Sequence, residues 1–283
     1  MTVSHPAGRG YRRAEYTGGM EFGAPITSRS NARVKTLRAS FSGRASRPGE
    51  VVGIEGEHLI AEALRSGFEL ETVFVRQGSE RVLERASLAG LDAEKVVVLS
   101  ADVFASAVET ASPQGIAATI LLREPGLSEE GDGPVLVLED LQDPGNLGTL
   151  LRSAEAFGAS RVMVTPGTVN QWNPKVMRAS AGSVFRVAVV RSALEEIAAR
   201  LDGDGVEIYA AVAQVEGAVS LLKTKFAARC ALMVGNEGAG LSAEALALAR
   251  HKVRIPCAVE SLNAAVAGST LLYEAMRQRE GSR

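Results

Sequence analysis

The stretch from Val135 to Gly158, VLVLEDLQDPGNLGTLLRSAEAFG, decides the fold of the second half of the chain. Its first four residues form an unbroken apolar run, as a parallel strand covered on both faces requires. After a polar turn, Asn146 is placed to cap a helix that extends to Phe157 and ends at Gly158. A strand that leads through a short turn into a helix predicts one unit of a parallel α/β sheet.

The same alternation of strands and helices continues on both sides of this stretch. Further strands are predicted over 161–164, 184–190, 208–212, 231–234 and 252–255, and a last helix over 262–279. We therefore predict an α/β domain with a mostly parallel sheet, helices on both faces, over residues 135–283. A smaller α/β domain is predicted over 26–122, a breaker-rich linker over 123–134, and a disordered extension over 1–25.

Composition excludes several classes of protein. Of the 283 residues, 46% are hydrophobic and 23% charged, so the chain can bury a large core without metal or disulfides. The cysteines, Cys230 and Cys257, form no CxxC pair, which argues against a zinc ribbon and suits a reducing cytoplasm. No apolar run approaches the roughly 20 residues that span a bilayer. We expect a cytoplasmic protein with no membrane partner.

The basic charge is concentrated at the start of the chain. Residues 1–50 contain nine Lys or Arg and three Asp or Glu, although the whole chain has a net charge of -2. An acidic body with a basic front segment indicates a polyanionic partner for that segment, and a solubilising tail is the other interpretation. The candidate contacts in or next to a predicted basic helix are Arg29, Arg33, Lys35 and Arg38, and the basic segment that is expected to follow phosphates continues to Arg44 and Arg47.

Two more polar loops follow predicted strands. GNEGAGLS, residues 235–242, has the order GxxGxG, which is neither a dinucleotide nor a P-loop motif, and a tight turn with a helix cap at Ser242 explains it equally well. IPCAVESLN, residues 255–263, precedes the last helix, for which Ser261 is the expected cap. Because ligands of parallel α/β sheets bind at the carboxyl ends of the strands, we expect these loops to form one site.

Together the three loops resemble the ordered motifs of the SpoU (TrmH-like) branch of the SPOUT RNA methyltransferases. The resemblance is carried by DPGNLG over 143–148 with Arg152, by GNEG over 235–238, and by IP at 255–256 followed by SLN at 261–263. It covers roughly residues 26–280, and the segments SPQG (112–115) and RASAGS (178–183) also resemble recurring segments of the family. The first α/β unit is similar to the family's substrate-binding domain.

The resemblance implies a trefoil-knotted C-terminal domain that binds S-adenosylmethionine, a homodimer with the last helix in its interface, and methylation of a ribose 2'-hydroxyl in rRNA or tRNA. Three positions match the family's cofactor contacts: Gly235, Ile255 and Leu262. Five match its catalytic and substrate-site residues: Asn146, Arg152, Glu237, Ser261 and Asn263.

The expected reaction needs help with a proton, because a ribose hydroxyl is a poor nucleophile. The family proposal makes Arg152 the base. Since arginine is effectively always protonated, Arg152 could instead bind the phosphate beside the ribose and stabilise the developing alkoxide. In either role, Glu237, Ser261 and Asn263 are expected to orient Arg152 and the ribose.

Other functions stay open at this point. We favour rRNA over tRNA, because an N-terminal domain is present where some tRNA-directed relatives have short extensions. A non-catalytic RNA-binding or ribosome-assembly protein with the same fold, and a methyltransferase acting on a base nitrogen, are the alternatives. The sequence contains no zinc, magnesium or nucleotide-phosphate motif.

Overall fold

The computed structural model describes residues 22–88, 91–123, 131–213 and 215–281. Most of the predicted extension (1–21) and of the predicted linker (124–130) lies outside these residues. Phe22 already packs against the larger hydrophobic core. Within the described residues, no helix combines the length and the apolar character needed to cross a membrane.

The N-terminal domain is a mixed sheet between two layers of helices. Its four described strands have the order β1-β4-β2-β3, in which β2 and β3 are parallel and the other neighbours antiparallel. Phe74 on β2 faces α1 and α3, whereas Val73 and Val75 face the side of α2, as strand alternation requires. The elements are α1 (Ala32–Ser40), β1 (Val51–Glu55), α2 (Glu57–Arg65), β2 (Leu70–Arg76), β3 (Val96–Leu99), α3 (Ala101–Ala107) and β4 (Ile116–Leu121).

The C-terminal domain contains a parallel sheet whose seven described strands have the order β7-β6-β5-β10-β8-β11-β9. Alternate strand residues pack on opposite faces, with α6 and α7 on one face and α4, α5 and α8 on the other. The elements are β5 (Val135–Leu138), α4 (Pro144–Ala156), β6 (Arg161–Val164), α5 (Pro174–Ala179), β7 (Val189–Arg191), α6 (Leu194–Gly203), β8 (Glu207–Val212), β9 (Val219–Ser220), β10 (Cys230–Val234), α7 (Ala243–Leu248), β11 (His251–Arg254) and α8 (Ala264–Glu280).

The predicted strand over 184–190 is wrong over most of its length, and only its last two residues belong to a strand. A 3₁₀ turn occupies Ser183–Phe185, and only Val189–Arg191 pairs with the sheet. The apolar run is buried for another reason, since Phe185 packs against Phe68 and Trp172 where the two domains meet. Tertiary burial of a turn therefore produced a strand-like pattern.

Charged groups also join the domains. Glu62 on α2 is buried, and Arg186 donates to it at 2.6 Å. The same guanidinium pairs with Glu155 on α4. Gly182, with φ of 93°, leaves no room for a Cβ because Glu62 Cγ would lie 2.5 Å away. The buried carboxylate is thus paired across the junction, as a buried charge requires.

Candidate active site

The loops after β5, β10 and β11 meet at one edge of the sheet, as the strand pattern predicts. The first loop holds the second directly. The buried carboxylate of Glu139 accepts hydrogen bonds from Ser242 N–H (2.8 Å) and Ser242 Oγ–H (2.6 Å). Asn236 Nδ2 donates to the carbonyl of Asp140 at 2.8 Å. The glycine-rich loop is therefore fixed to the end of β5, and Ser242 caps α7 as predicted.

Two predicted helix caps are wrong, and the correction explains the site. Asp143, not Asn146, caps α4, with Pro144 in the first turn, and Asn146 N–H donates to Asp143 Oδ1 at 2.8 Å. Asn263, not Ser261, caps α8 and accepts from Ala265 N–H at 2.9 Å. The side chain of Asn146 and the amide nitrogen of Asn263 are consequently available for contacts between the loops.

Asn146 joins all three loops. Its side chain lies at the buried start of α4 and is held on both sides. Asn146 Nδ2 donates to Glu237 Oε1 at 2.9 Å, and Asn146 Oδ1 accepts from Asn263 Nδ2 at 3.0 Å. One amide thus uses a donor and an acceptor to connect residues that lie 91 and 117 positions away in sequence.

Glu237 acts as an acceptor for the first loop. Besides Asn146, it accepts hydrogen bonds from the backbone N–H groups of Asp143 (3.1 Å) and Gln142 (3.3 Å). Partial burial by itself raises the pKa of Glu237, but these hydrogen bonds outweigh it and hold the pKa below its usual value. The carboxylate is therefore ionised at neutral pH and is a weak proton acceptor.

Arg152 stands apart from this network. It lies on the exposed side of α4, near Thr149, and its side chain makes no hydrogen bond or ion pair with another described residue. The expectation that Glu237 and Asn263 orient Arg152 is not met in the single chain, because both bind Asn146 instead. Ser261 is exposed at the rim of the neighbouring cavity. The guanidinium of Arg152 is therefore available to an anionic ligand.

A cavity of about 310 Å³ lies beside the network, between the loops after β8, β10 and β11. This volume is at the lower end of the range for small-molecule sites. The predicted cofactor residues Gly235, Ile255 and Leu262 all line it, as do Glu237 and Ser261, whereas Asn146, Arg152 and Asn263 are not among its lining residues. The structure thus separates a cavity from an adjacent polar network.

The glycine-rich loop is suited to a ligand that binds backbone groups. Asn236 and Gly240 exchange two backbone hydrogen bonds of 3.0 and 2.9 Å, which closes the loop tightly. A Cβ at Gly235 would overlap the carbonyl of Gly240, so only glycine fits there. The cavity combines this loop with apolar side chains such as Val234, Ile255 and Leu262. A ligand with an aromatic base and several polar groups fits such a lining.

Residues 165–173, here called the linking segment, connect the first loop to the N-terminal domain, and sequence reasoning missed them. Gln142 Nε2 donates to Gly167 O at 2.8 Å, and Val169 N–H donates to Leu141 O at 2.8 Å. At its other end, Asn170 Nδ2 donates to Ala45 O at 2.7 Å. The segment therefore contacts both the active-site edge and the region after α1.

Arg191 fixes the linking segment. Its guanidinium donates to four carbonyl oxygens at 2.7 to 3.1 Å, those of Thr165, Pro166, Thr168 and Val169. Burial lowers the pKa of Arg191 from its usual value, and no carboxylate offsets that effect. Asp140, with φ of 50°, also binds the segment, since Asp140 Oδ1 accepts from Thr165 Oγ1 at 2.6 Å. The sequence signals these contacts only through two polar residues, Glu139 and Asp140, which follow the apolar strand β5.

The predicted RNA contacts lie on the surface of the N-terminal domain. Arg38 donates to Ser106 O at 3.1 Å, and Arg29 pairs with Asp102 at 3.8 Å, so both are tied to α3. Arg33 and Lys35 are exposed on α1. Their role in binding RNA stays a prediction.

Comparison with known proteins identifies both parts of the chain. Residues 133–273 match the SpoU rRNA Methylase family, and residues 31–118 match the MRM3-like substrate binding domain. The 23S rRNA (guanosine(2553)-2'-O)-methyltransferase RlmP of Bacillus subtilis is 34% identical over 250 residues, which is 88% of this chain and 97% of that protein.

Solved structures share the fold. An RNA 2'-O ribose methyltransferase superposes with a TM-score of 0.76 at 31% identity, covering 91% of this chain and 100% of the other. An AdoMet-bound rRNA methyltransferase from Sinorhizobium meliloti has a TM-score of 0.75 at 28% identity, covering 90% and 97%. These comparisons confirm the resemblance that the three loops carry. The chain belongs to the SpoU family of SPOUT RNA methyltransferases, and S-adenosylmethionine is its methyl donor.

Proposed function

We propose that the protein methylates a ribose 2'-hydroxyl of ribosomal RNA. The observation that carries this proposal is the Asn146 network, which connects all three polar loops beside the cavity. Two relatives support the RNA class, since the Bacillus subtilis protein is a 23S rRNA 2'-O-methyltransferase and a Xenopus laevis relative is a mitochondrial rRNA methyltransferase. The first also supports the 2'-hydroxyl as the position of the methyl group.

The residues that line the cavity hold the methyl donor in this proposal. When bound, S-adenosylmethionine supplies a methyl group on a positively charged sulfur. The backbone at Gly235 and Ile255 provides polar contacts, and the side chain of Leu262 provides an apolar one. The hydrogen bonds of Glu139 and Asn146 keep these loops in place before the ligand binds.

Arg152 acts on the RNA. Its guanidinium, which has no partner among the described residues, binds the phosphate beside the target ribose and stabilises negative charge on the 2'-oxygen as the proton leaves. As the 2'-oxygen takes the methyl group, the electrons of the broken bond stay on the sulfur of the donor, and the hydroxyl proton is released to solvent. Glu237 is not assigned as the base, because its carboxylate is held by Asn146 and by the backbone N–H groups of Gln142 and Asp143. Asn146, Glu237 and Asn263 position the loops, and Ser261 at the rim contacts the ribose.

We also propose that two copies of the chain associate through α8. Val266 and Tyr273 on this helix are about half exposed, at 51% and 49%, and Tyr273 packs against Phe157. Exposed apolar side chains on one face favour a protein partner. Light scattering at micromolar concentration tests the dimer, and a monomeric mass would contradict it.

The exposed thiol of Cys257 fits our expectation that the enzyme acts in the reducing cytoplasm.

The transfer of labelled methyl from S-adenosylmethionine to total RNA tests the reaction. The RNA is taken from a strain that lacks the gene, digested to nucleosides and analysed by mass spectrometry. We expect label in a 2'-O-methylnucleoside of the rRNA fraction, and its loss in Arg152→Ala. Arg152→Lys should also fail, because a point charge does not replace a planar guanidinium on a phosphate.

Each alternative has its own outcome in this assay. Label in the tRNA fraction would replace rRNA as the substrate, and label on a base would contradict ribose methylation. Calorimetric titration with S-adenosylmethionine tests the alternative of a non-catalytic RNA-binding protein. If the wild-type protein binds no cofactor and labels neither RNA nor isolated ribosomal subunits, the enzymatic proposal is wrong.

A further inference from the structure

The junction of the two domains has exposed cations on both sides. Arg44 and Arg47 lie in the segment after α1, in the N-terminal domain. Lys175 and Arg178 lie on α5, in the C-terminal domain, three residues apart and therefore on the same side of the helix. All four side chains are exposed.

The linking segment holds these two groups together. Asn170 Nδ2 donates to the carbonyl of Ala45, which is next to Arg44, at 2.7 Å. A Cβ at Gly43 would lie 3.4 Å from Asn173 Cα, so the backbones of the two domains are in close contact there. Asn173 is also the cap of α5 and accepts from Lys175 N–H at 2.9 Å. The two pairs of cations are consequently neighbours across the junction.

Three of these four cations have no counter-ion among the described residues. The side chains of Arg44, Lys175 and Arg178 make no hydrogen bond or ion pair with any other residue that the structure describes. Arg47 has the carboxylate of Glu50 close by, and that carboxylate accepts the backbone N–H of Arg47 at 2.9 Å. Four cations with one adjacent carboxylate leave a net positive surface, which attracts a polyanion.

The exposed cations of α5 lie on a helix that packs against α4, the helix that begins at the active-site edge and carries Arg152, the proposed catalytic arginine. The contact is close, since a Cβ at Gly148 would lie 2.5 Å from Ala179 Cβ and 2.6 Å from Val176 O. Because α5 lies between the N-terminal domain and α4, an RNA strand bound along it reaches from one domain to the other.

We propose that Arg44, Arg47, Lys175 and Arg178 form one phosphate-binding surface for structured RNA across the domain junction. The inference rests on the proposed function and adds where the RNA backbone lies. Phosphate contacts of this kind fix position and orientation and carry no sequence information. The linking segment keeps the surface in register with the active-site edge, because it is bonded to both Ala45 and Leu141.

The test compares the salt dependence of RNA affinity in the double variant Lys175→Gln/Arg178→Gln with that of the wild-type protein. The probe is an rRNA fragment that the wild-type enzyme methylates. Its dissociation constant is measured at several KCl concentrations between roughly 50 and 200 mM, a range that includes physiological ionic strength. Each lost phosphate contact lowers the slope of log affinity against log salt by about 0.7 to 0.9. We therefore expect a slope smaller by about 1.5 and a higher KM for RNA, with kcat at saturating RNA unchanged.

Lys223→Gln/Lys225→Gln is the matched control. Both lysines are exposed and flank Thr224, whose carbonyl accepts from Gln278 near the C-terminal end of α8. Since α8 has 17 residues, this end lies roughly 25 Å from Asn263. The control should keep the wild-type slope, and Arg44→Gln/Arg47→Gln should lose as much slope as the α5 variant. Melting temperature and cofactor affinity should be unchanged in all three variants.

Two results would contradict the proposed phosphate-binding surface. One is an unchanged slope in both junction variants while the wild-type enzyme binds and methylates the fragment, which leaves the proposed function intact. The other is an equal loss in the control, which indicates a general charge effect. If the wild-type protein neither binds nor methylates any RNA, the proposed function fails as well, so the two failures are distinguishable.

Discussion

The substitution Asn146→Asp tests whether the Asn146 network holds the active site together. The two side chains have the same shape, so packing is preserved. The new carboxylate loses the donor that binds Glu237 Oε1 at 2.9 Å and places a second negative charge there. The hydrogen bond from Asn263 Nδ2 at 3.0 Å is kept, because a carboxylate oxygen also accepts it.

The magnitude follows from Coulomb's law. Two unit charges about 4 Å apart repel by about 1 kcal/mol in bulk water and about 4 kcal/mol at an effective dielectric constant of 20. Asn146 is buried and Glu237 is exposed to water, so we expect the free energy of unfolding to fall by an amount between these limits. The same repulsion raises the pKa of the carboxyl pair above the ordinary carboxyl value.

The sign of the pH dependence distinguishes the variant from the wild-type protein. A raised folded-state pKa means that the penalty is absent in acid and develops as pH rises from the ordinary carboxyl pKa through the raised one. In the wild-type protein, Glu237 has a lowered pKa, so its contribution is lost only as pH falls below its ordinary titration range. Acidification from pH 7.5 to 5.5 should therefore stabilise the variant and leave the wild-type protein unchanged.

Thermal unfolding across this pH range, with methyl transfer at saturating RNA, measures both effects. Asn31→Asp is the control for stability, because Asn31 caps α1 and aspartate caps a helix equally well. A variant at position 146 that has wild-type stability and turnover at pH 7.5 would refute the role we assign to the network. So would a loss of stability that does not diminish at pH 5.5.

Three further predictions concern other parts of the structure. Gly235→Ala should abolish S-adenosylmethionine binding in calorimetric titration, because the new methyl group overlaps the Gly240 carbonyl and opens the loop, and wild-type affinity would contradict this. Arg191→Met removes the donor to four carbonyls, so we expect a higher KM for RNA and lower turnover with unchanged cofactor affinity, whereas a fall in melting temperature alone would indicate a merely structural role. Arg186→Gln should lower the free energy of unfolding by about 1 to 3 kcal/mol in urea titrations, since the buried Glu62 then keeps Arg65 as its one ion-pair partner among the described residues, and a change within error would show that the pair contributes little.

Much of the fold follows from the sequence because strands and helices have local signatures. The apolar run Val135–Leu138 predicts a strand covered on both faces, and the structure confirms it in the middle of a parallel sheet. That the three polar loops share one edge also follows, since parallel strands present their carboxyl ends on the same side. The SpoU family could be predicted because its motifs lie in these loops.

The cap of α4 has a local signal, since Asp143 is a good helix cap and is followed by Pro144 in the first turn, so that wrong prediction came from the choice between two local candidates. What depends on distant partners is the role of Asn146, which binds Glu237 and Asn263, each about a hundred residues away. In the same way, the apolar segment at Val184 is buried against the N-terminal domain and is not part of a strand.

The sequence by itself determined the alternation of strands and helices, the three motifs and the edge at which they meet. Only the tertiary structure decided which side chains hold that edge. Glu139 and Asn146 form hydrogen bonds with loops that lie 90 or more residues further along the chain. Arg191 donates to four carbonyl oxygens that one turn of the linking segment brings together. The motifs identify Asn146 as a site residue, but local propensity extends over about four residues and cannot show which distant groups it binds once the whole sheet has folded.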